Sequence, residues 1–175
     1  MLISEKMNAA LNEQIGHEFG ASLQYVAIAA YFDCDNLPEL SAHFYRQADE
    51  EREHAMRIVN YLVDARGNVV IPAVPAPKSE FASAEEALQL SLDWELTVTK
   101  QIDDLVNLAL QENDNMTHMF LQWFVGEQLE EVSSMETLLG MIQRAGNQHL
   151  LLVEAYLARH SGGRPSGARA TSTAT

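Results

Sequence analysis

The chain has 175 residues, of which 47% are hydrophobic and 21% charged, and this length suits one domain with a sizeable core. Acidic residues outnumber basic residues 25 to 11, giving a formal net charge of −14, which argues against nucleic-acid binding because that function needs a basic surface. The same excess favours cations as ligands, although a solvated acidic surface would also produce it.

The first part of the chain predicts two long helices. A helical period runs from about Ser4 to Asp33, and a second one runs from about Pro38 to Arg66. The short polar turn between them ends at Pro38, which suits the first turn of a helix, and Gly67 is a natural terminating residue for the second helix. Because the connection is short, we expect these helices to be antiparallel neighbours.

Residues 67–82 break the helical period, since they contain Pro72, Pro75 and Pro77. This length predicts an extended crossover along the bundle rather than a tight turn. A third helix is predicted from a capping box at Ser83 and Glu86 to about residue 112. A fourth helix is predicted over about residues 116–144, and a shorter fifth one over about 148–160.

Two antiparallel pairs joined by one long crossover predict an all-α fold, a four-helix bundle of the one-crossover type with a short fifth helix. We expect residues 1–161 to form this single domain. Residues 162–175 are mainly Gly, Ser, Ala, Thr and Arg, a composition too poor in large apolar side chains to pack, and they are predicted to form a disordered tail.

A carboxylate and an imidazole interrupt the apolar stripe of the second helix. Glu51 and His54 are three residues apart, so they share one helix face, the face that also carries Phe44 and Ile58. An isolated ionised carboxylate in an apolar interior is so costly that it must be paired, neutralised or bound to metal. Taken alone, the motif fits either a self-satisfied Glu–His pair or a metal site.

Each of the other long helices carries a similar interruption near its middle: Glu18 followed by Tyr25 on the first, Glu95 on the third, and Gln128 with Glu131 on the fourth. In a bundle these side chains converge on one layer. Four carboxylates cannot all stay ionised there without compensating positive charge, and no lysine or arginine lies on these stripes. A metal pair is the simplest solution, and oxygen-rich ligation with one imidazole favours iron or manganese over structural zinc.

The arrangement closely resembles the non-haem bacterial ferritins. The matching residues are Glu18 and Tyr25, Glu51-x-x-His54, Glu95, and Glu127-Gln128-x-Glu130-Glu131. The resemblance covers about residues 4–160. It implies a ferritin-like bundle with a di-iron ferroxidase centre, assembled into a homo-oligomeric cage that is typically built from twenty-four subunits.

The resemblance also implies roles for individual residues: Glu18, Glu51 and His54 bind a first iron, and Glu51 bridges to a second iron held by Glu95 and Glu131, with Gln128 close by. Tyr25 is implied to lie beside this centre with a catalytic role, where its hydroxyl could hydrogen-bond a ligand or give up an electron. A core aromatic residue with a satisfied hydroxyl is the alternative for Tyr25.

A second acidic set adjoins these residues and consists of Glu50, Glu127 and Glu130. Their helix positions rotate them toward the flank. Equivalent carboxylates in the family form a third iron site toward the cage interior, so the resemblance implies such a site here. A solvated charged face is the alternative.

Two motifs of this chain differ from those of related di-iron proteins, and the differences restrict the predicted iron and haem sites. Symmetric di-iron bundles carry Glu-x-x-His on two helices, whereas the fourth helix here has Gln128-x-x-Glu131, so we expect a weaker and more exchangeable second iron site. Bacterioferritins carry a haem-ligating methionine directly after the glutamate of the second-helix motif. Arg52 stands at that position, so no haem is expected.

The predicted function is therefore oxidation of Fe(II) by dioxygen or hydrogen peroxide and storage of Fe(III) as a mineral inside the cage. Two other classes stay open, a discrete di-iron oxidase with an organic substrate and a purely structural bundle. A single cysteine, an N-terminus without a charged-then-apolar order and the lack of a membrane-length apolar run predict a cytoplasmic protein without membrane partners.

Overall fold

The computed structural model describes residues 2–160 and contains five α-helices within that range, with no strand among those residues. The helices are α1 Glu5–Cys34, α2 Pro38–Asp64, α3 Ala84–Gln111, α4 Asn115–Ala145 and α5 Leu150–His160. The all-α prediction is confirmed. The predicted tail, residues 162–175, lies outside the described residues. No helix within residues 2–160 is both long enough and apolar enough to cross a membrane.

Side-chain caps define three of the helix starts. Ser4 accepts a hydrogen bond from the backbone N–H of Met7 at 2.9 Å, and Asp114 accepts one from Thr117 at 3.0 Å. At α3 the Ser83 hydroxyl accepts from the Glu86 N–H at 3.1 Å. The Glu86 carboxylate turns back to the N–H of Ala82 at 2.6 Å rather than to Ser83, so only half of the predicted capping box forms.

The end of α2 differs from the prediction. Arg66, not Gly67, takes the left-handed conformation, with φ of 56°, and the N–H of Gly67 then bonds the Leu62 carbonyl at 2.8 Å. A Cβ at position 67 would overlap the side-chain oxygen of Asn8. Glycine is therefore needed at position 67 for close approach to α1 and not for a positive φ.

The crossover lies against α1, as its length predicted. Asn8 and Asn12 both donate to the Asn68 carbonyl, at 3.1 and 2.8 Å. Further along, the Gln24 amide both donates to and accepts from the backbone of Lys78, at 2.8 and 2.9 Å. These amides satisfy backbone groups of a segment that has no secondary structure of its own, and they fix the crossover across α1.

The fifth helix begins later than predicted because a 3-10 turn at Asn147–His149 precedes it. Gly146 ends α4 with φ of 63°, as expected for a terminal glycine. On α5 the buried Glu154 carboxylate accepts from the backbone N–H groups of Glu39 and Leu40, both at 2.8 Å. The start of α2 has no side-chain cap of its own, so a residue 115 positions away supplies it.

The interior of the bundle is divided into two apolar clusters. One includes Phe32, Phe44 and Met135, and the other includes Ile15 and Ile58. Between them lies a layer of buried polar side chains contributed by all four long helices: Glu18, Glu51, His54, Glu95, Gln128 and Glu131. The predicted interruptions of the four apolar stripes therefore meet at one level of the bundle.

Candidate metal centre

One group of potential metal ligands joins α1 and α2. Glu18, Glu51 and His54 each place a carboxylate oxygen or ring nitrogen within 4.8 Å of the others. All three are buried, with exposures of 0%, 1% and 4%. The His54 Nδ1 lies 3.3 Å from a Glu51 carboxylate oxygen, so the i, i+3 spacing directs both side chains inward to the same point.

A second group joins α2 and α4. His54, Glu127 and Glu131 also bring one ligand atom each within 4.8 Å. Glu131 is buried and Glu127 half-buried, so this group extends from the polar layer toward the surface. His54 takes part in both groups, which makes it the imidazole at the junction of the two.

Glu95 is held by two hydrogen bonds from other helices. The Tyr25 hydroxyl donates to one of its oxygens, and the Gln128 Nε2 donates to the other at 3.2 Å. Tyr25 is fully buried, with its ring 5.7 Å from that of Phe44. The structure therefore places Tyr25 in contact with the centre rather than in the apolar core alone, and it places Gln128 beside Glu95.

Some carboxylate oxygens of the buried polar layer have no hydrogen-bond partner among the described residues. Gln14 Nε2 donates to one oxygen of Glu18 at 2.8 Å. The second oxygen of Glu18 and one oxygen of Glu51 are buried and have no hydrogen-bond partner among the described residues. Buried carboxylate oxygens are costly to leave unpaired, so this pair of acids requires either a shared proton or a cation.

Burial and mutual repulsion raise the pKa of the clustered acids. Burial, followed by the charge of Glu51, raises the pKa of Glu18 well above its usual range, and burial together with the charge of Glu95 does the same for Glu51. Burial and the charge of Glu95 raise the pKa of Glu131 to about 8. For Glu95 burial raises the pKa, while the bonds from Tyr25 and Gln128 oppose that rise. A bound cation would relieve the same repulsion.

The outer acidic set is only partly assembled. Glu127 belongs to the second ligand group, whereas Glu130 is exposed and belongs to neither group. Glu50 is exposed at the rim, yet the surrounding protein desolvates its carboxyl enough to raise its pKa. Gln47 Nε2 donates to Glu50 at 2.8 Å and to Glu131 at 3.0 Å, which links the rim to the buried layer.

Two aromatic side chains pack against the imidazole ring of His54. The Trp123 and Phe124 rings lie 5.3 and 5.9 Å from the His54 ring, both edge-on, and the Arg57 guanidinium lies 3.9 Å from the centre of the Trp123 ring. The ring is therefore fixed by packing. A fixed ligand loses less conformational freedom when it binds a metal.

Sequence reasoning did not assign roles to Gln14 and Gln47, which donate hydrogen bonds to ligand carboxylates. Gln14 stands four residues before Glu18, and Gln47 stands four residues before Glu51. A glutamine one turn before a buried glutamate, on the same face, is the signal that could have identified Gln14. Gln47 donates to Glu50 and Glu131 rather than to Glu51, so the same spacing does not reveal its partners. Gln47 lies on the apolar stripe of α2, but its partner on α4, Glu131, depends on how the two helices pack.

Sequence and structure comparisons show which known proteins this chain is similar to. A family model described as a ferritin-like domain matches residues 8–145. Ferritin BfrB of Mycolicibacterium smegmatis is 44% identical over 171 residues, 96% of this chain and 94% of that protein. A bacterial non-heme ferritin of Staphylococcus saprophyticus is 40% identical over 163 residues, 91% of this chain and 97% of that protein. An open-pore ferritin structure from the archaeon Archaeoglobus fulgidus matches with a TM-score of 0.86 at 37% identity, covering 89% of this chain and 96% of that one. The chain belongs to the ferritin family.

Proposed function

We propose that the protein is a ferroxidase that stores iron. The observation that carries this proposal is the buried layer in which Glu18 and Glu51 present oxygens without hydrogen-bond partners beside His54. A purely structural bundle has no use for such oxygens, because burying them unpaired lowers its stability. Family membership supports iron as the cation and storage in a cage as the purpose.

The proposed ligand assignment places the first Fe(II) at Glu18, Glu51 and His54. Glu51 bridges to a second Fe(II) held by Glu95 and Glu131, with Gln128 adjacent. Hard carboxylate oxygens stabilise Fe(III) over Fe(II), so these residues favour oxidation. Two Fe(II) ions supply two electrons. With two protons these electrons reduce dioxygen to hydrogen peroxide, or, again with two protons, they reduce hydrogen peroxide to two water molecules. The protein contributes mainly positioning, so that one oxidant meets both ions.

Tyr25 is proposed to act at the second iron. Its hydroxyl donates to Glu95, so it orients that carboxylate and is in position to give up an electron. Burial, followed by the charge of Glu95, raises the pKa of Tyr25 well above its usual range. The tyrosine therefore keeps its proton and stays a hydrogen-bond donor at neutral pH.

The outer acidic set is proposed to receive iron from the centre. Glu127 places a potential ligand atom within 4.8 Å of those of His54 and Glu131, and Glu50 shares the Gln47 amide with Glu131. These contacts provide a short path of oxygens from the layer to the rim, to which Glu130 adds a further exposed carboxylate on α4. A mineral needs more space than one bundle offers, so storage requires assembly into a homo-oligomeric cage, which we propose has twenty-four subunits in the cytoplasm.

Stopped-flow oxidation of Fe(II) tests the proposal, with dioxygen and hydrogen peroxide compared as oxidants at two irons per subunit. We expect Glu51→Ala to slow the first phase by about 100-fold or more, since it removes the bridging ligand. Arg52→Ala is the matched control, because Arg52 is adjacent and exposed, and we expect it to leave the rate unchanged. Oxidation by Glu51→Ala at the wild-type rate would contradict the ferroxidase assignment.

A further inference from the structure

Gln47 joins two carboxylates that belong to different parts of the site. Its side chain is 5% exposed, and its Nε2 donates to Glu131 at 3.0 Å and to Glu50 at 2.8 Å. An ionised carboxylate can accept hydrogen bonds but cannot donate them. The amide nitrogen of Gln47, which is the donor, therefore faces both carboxylates. One amide thereby uses both of its N–H bonds, one toward the buried layer and one toward the exposed rim.

A neutral amide suits this place better than a charged group. Glu50 and Glu131 share one amide nitrogen as donor, and two carboxylates repel each other when both are ionised, so they need a donor between them if they are to stay close. A lysine or arginine would supply donors, but its positive charge would repel an incoming cation. A glutamine holds both acids without adding charge, and its nitrogen has no lone pair available for a metal.

We propose that Gln47 is a positioning residue that holds Glu131 and Glu50 side by side, so that a cation leaving the second iron site is next bound by Glu50. This inference rests on the proposed function and deepens it by assigning control of the transfer step to one amide. Gln47 acts through the two carboxylates and does not itself bind the metal.

The first test is metal binding without oxidation. Gln47→Met keeps the length of the side chain and removes both N–H donors. In a calorimetric titration of the iron-free assembled protein with Zn(II), we expect the ion at Glu18, Glu51 and His54 to bind as in the wild type. The outer ion, which depends on the carboxylates that Gln47 holds, should lose about tenfold in affinity, the scale on which ligand-orienting hydrogen bonds act. Unchanged affinity of the outer ion would overturn the proposal.

The second test is a double-mutant cycle in Fe(II) oxidation. Gln47→Met should slow the later turnovers several-fold, by about the same factor as Glu50→Gln. If Gln47 acts through Glu50, the double variant should be no slower than Glu50→Gln alone. Independent, multiplying effects in the cycle would overturn the proposal.

Gln14→Met is the matched control, since Gln14 is also a buried glutamine that donates to a ligand carboxylate, Glu18. It should weaken a tight ion and leave the outer ion unchanged, the reverse of Gln47→Met, and the same pattern in both variants would contradict a specific role. If Gln47→Met does not assemble, Gln47→Asn replaces it, because the shorter amide cannot reach both partners. If the wild type fails to oxidise Fe(II), the proposed function fails, whereas the Zn(II) titration still decides the role of Gln47.

Discussion

At the scale of residues, Glu51 lies among other ionisable side chains of the polar layer. It contacts His54, and the charges of Glu95 and Glu131 both raise its pKa. Glu95 is instead held by Tyr25 and Gln128. We propose that Glu51 is the ligand shared by two ions and that Glu95 is a ligand of one ion.

Substitution of these two residues should therefore affect different numbers of ions. In anaerobic Fe(II) titrations we expect Glu51→Ala to weaken both inner sites by about 10-fold to 100-fold and Glu95→Ala to weaken mainly one. Neither variant should unfold the bundle, because removing a buried carboxylate lowers the repulsion in the iron-free layer. Equal loss of both ions in Glu95→Ala would contradict the bridging role of Glu51.

The raised pKa of Glu131 predicts how stability depends on pH. Folding raises this pKa from 4.5 to about 8, so the folded iron-free protein holds a proton that the unfolded chain releases. The stability gained from that proton is fully present below about pH 4.5 and is lost as the pH rises through about 8. We expect urea midpoints of the iron-free protein to fall over this range.

Glu131→Gln provides the control for that pH dependence, because its amide stays neutral throughout. Glu18 and Glu51 still contribute a fall with pH, since their pKa values are also raised. The variant should therefore lose less stability than the wild type between about pH 5 and about 8.5. Equal slopes for the two proteins would show that Glu131 is already ionised in the folded state.

At the scale of elements, α5 and α2 depend on each other through Glu154. The carboxylate caps a helix start that has no local cap. In Glu154→Gln an NH2 group replaces one of the two oxygens that accept from backbone N–H groups, so one donor faces another. We expect this substitution to lower the free energy of unfolding by about 1–2 kcal/mol. Glu136→Gln, an exposed position on α4, should change stability little, and an equal loss in both variants would contradict the capping role.

Two glycines within helices should respond oppositely to alanine. A Cβ at Gly16 would overlap the Pro72 ring of the crossover, whereas no heavy atom lies within 4 Å of a Cβ at Gly126. Gly16→Ala should therefore destabilise the protein, and Gly126→Ala should stabilise it by about 1 kcal/mol through helix propensity. Thermal unfolding measures both changes, and stabilisation by Gly16→Ala would show that the crossover does not hold its place.

The helices were predictable because each carries a strong 3.6-residue period with local start and stop signals. Four long helices and their mid-height polar residues followed from that period. The predictions were wrong where contacts between distant or neighbouring residues determine the local conformation. Gly67 is needed because Asn8 approaches it closely and not because its φ is positive, and the Glu86 carboxylate accepts from the N–H of Ala82 rather than from that of Ser83. Sequence spacing places residues on a face, but it does not show which residue on another helix a long side chain reaches.

Sequence spacing also predicted the candidate metal centre only in part. The convergence of Glu18, Glu51, His54 and Glu131 could be anticipated from the four stripes. The participation of Glu127 in the second ligand group and the link from Gln47 to Glu131 depend on how α2 packs against α4. Local patterns do not determine that packing to within a hydrogen-bond length.

At the scale of the whole molecule, a large apolar surface remains exposed on the single chain. Leu129 and Met119 are each 76% exposed, and Leu151 and Leu152 on α5 are 73% and 67% exposed. Apolar exposure of this size on several faces is typical of surfaces that bind other proteins. It supports assembly of many copies, which storage of a mineral requires.

We propose that oxidation and storage of iron occur in one assembled particle. Size-exclusion chromatography of the purified protein, before and after aerobic loading with Fe(II) and with iron counted per subunit, tests it most directly. Twenty-four copies of a 19.5-kDa chain form a particle of about 470 kDa, and we predict that this particle elutes intact with many irons per subunit. A small oligomer that stops at two irons per subunit would contradict storage and would indicate a discrete di-iron oxidase.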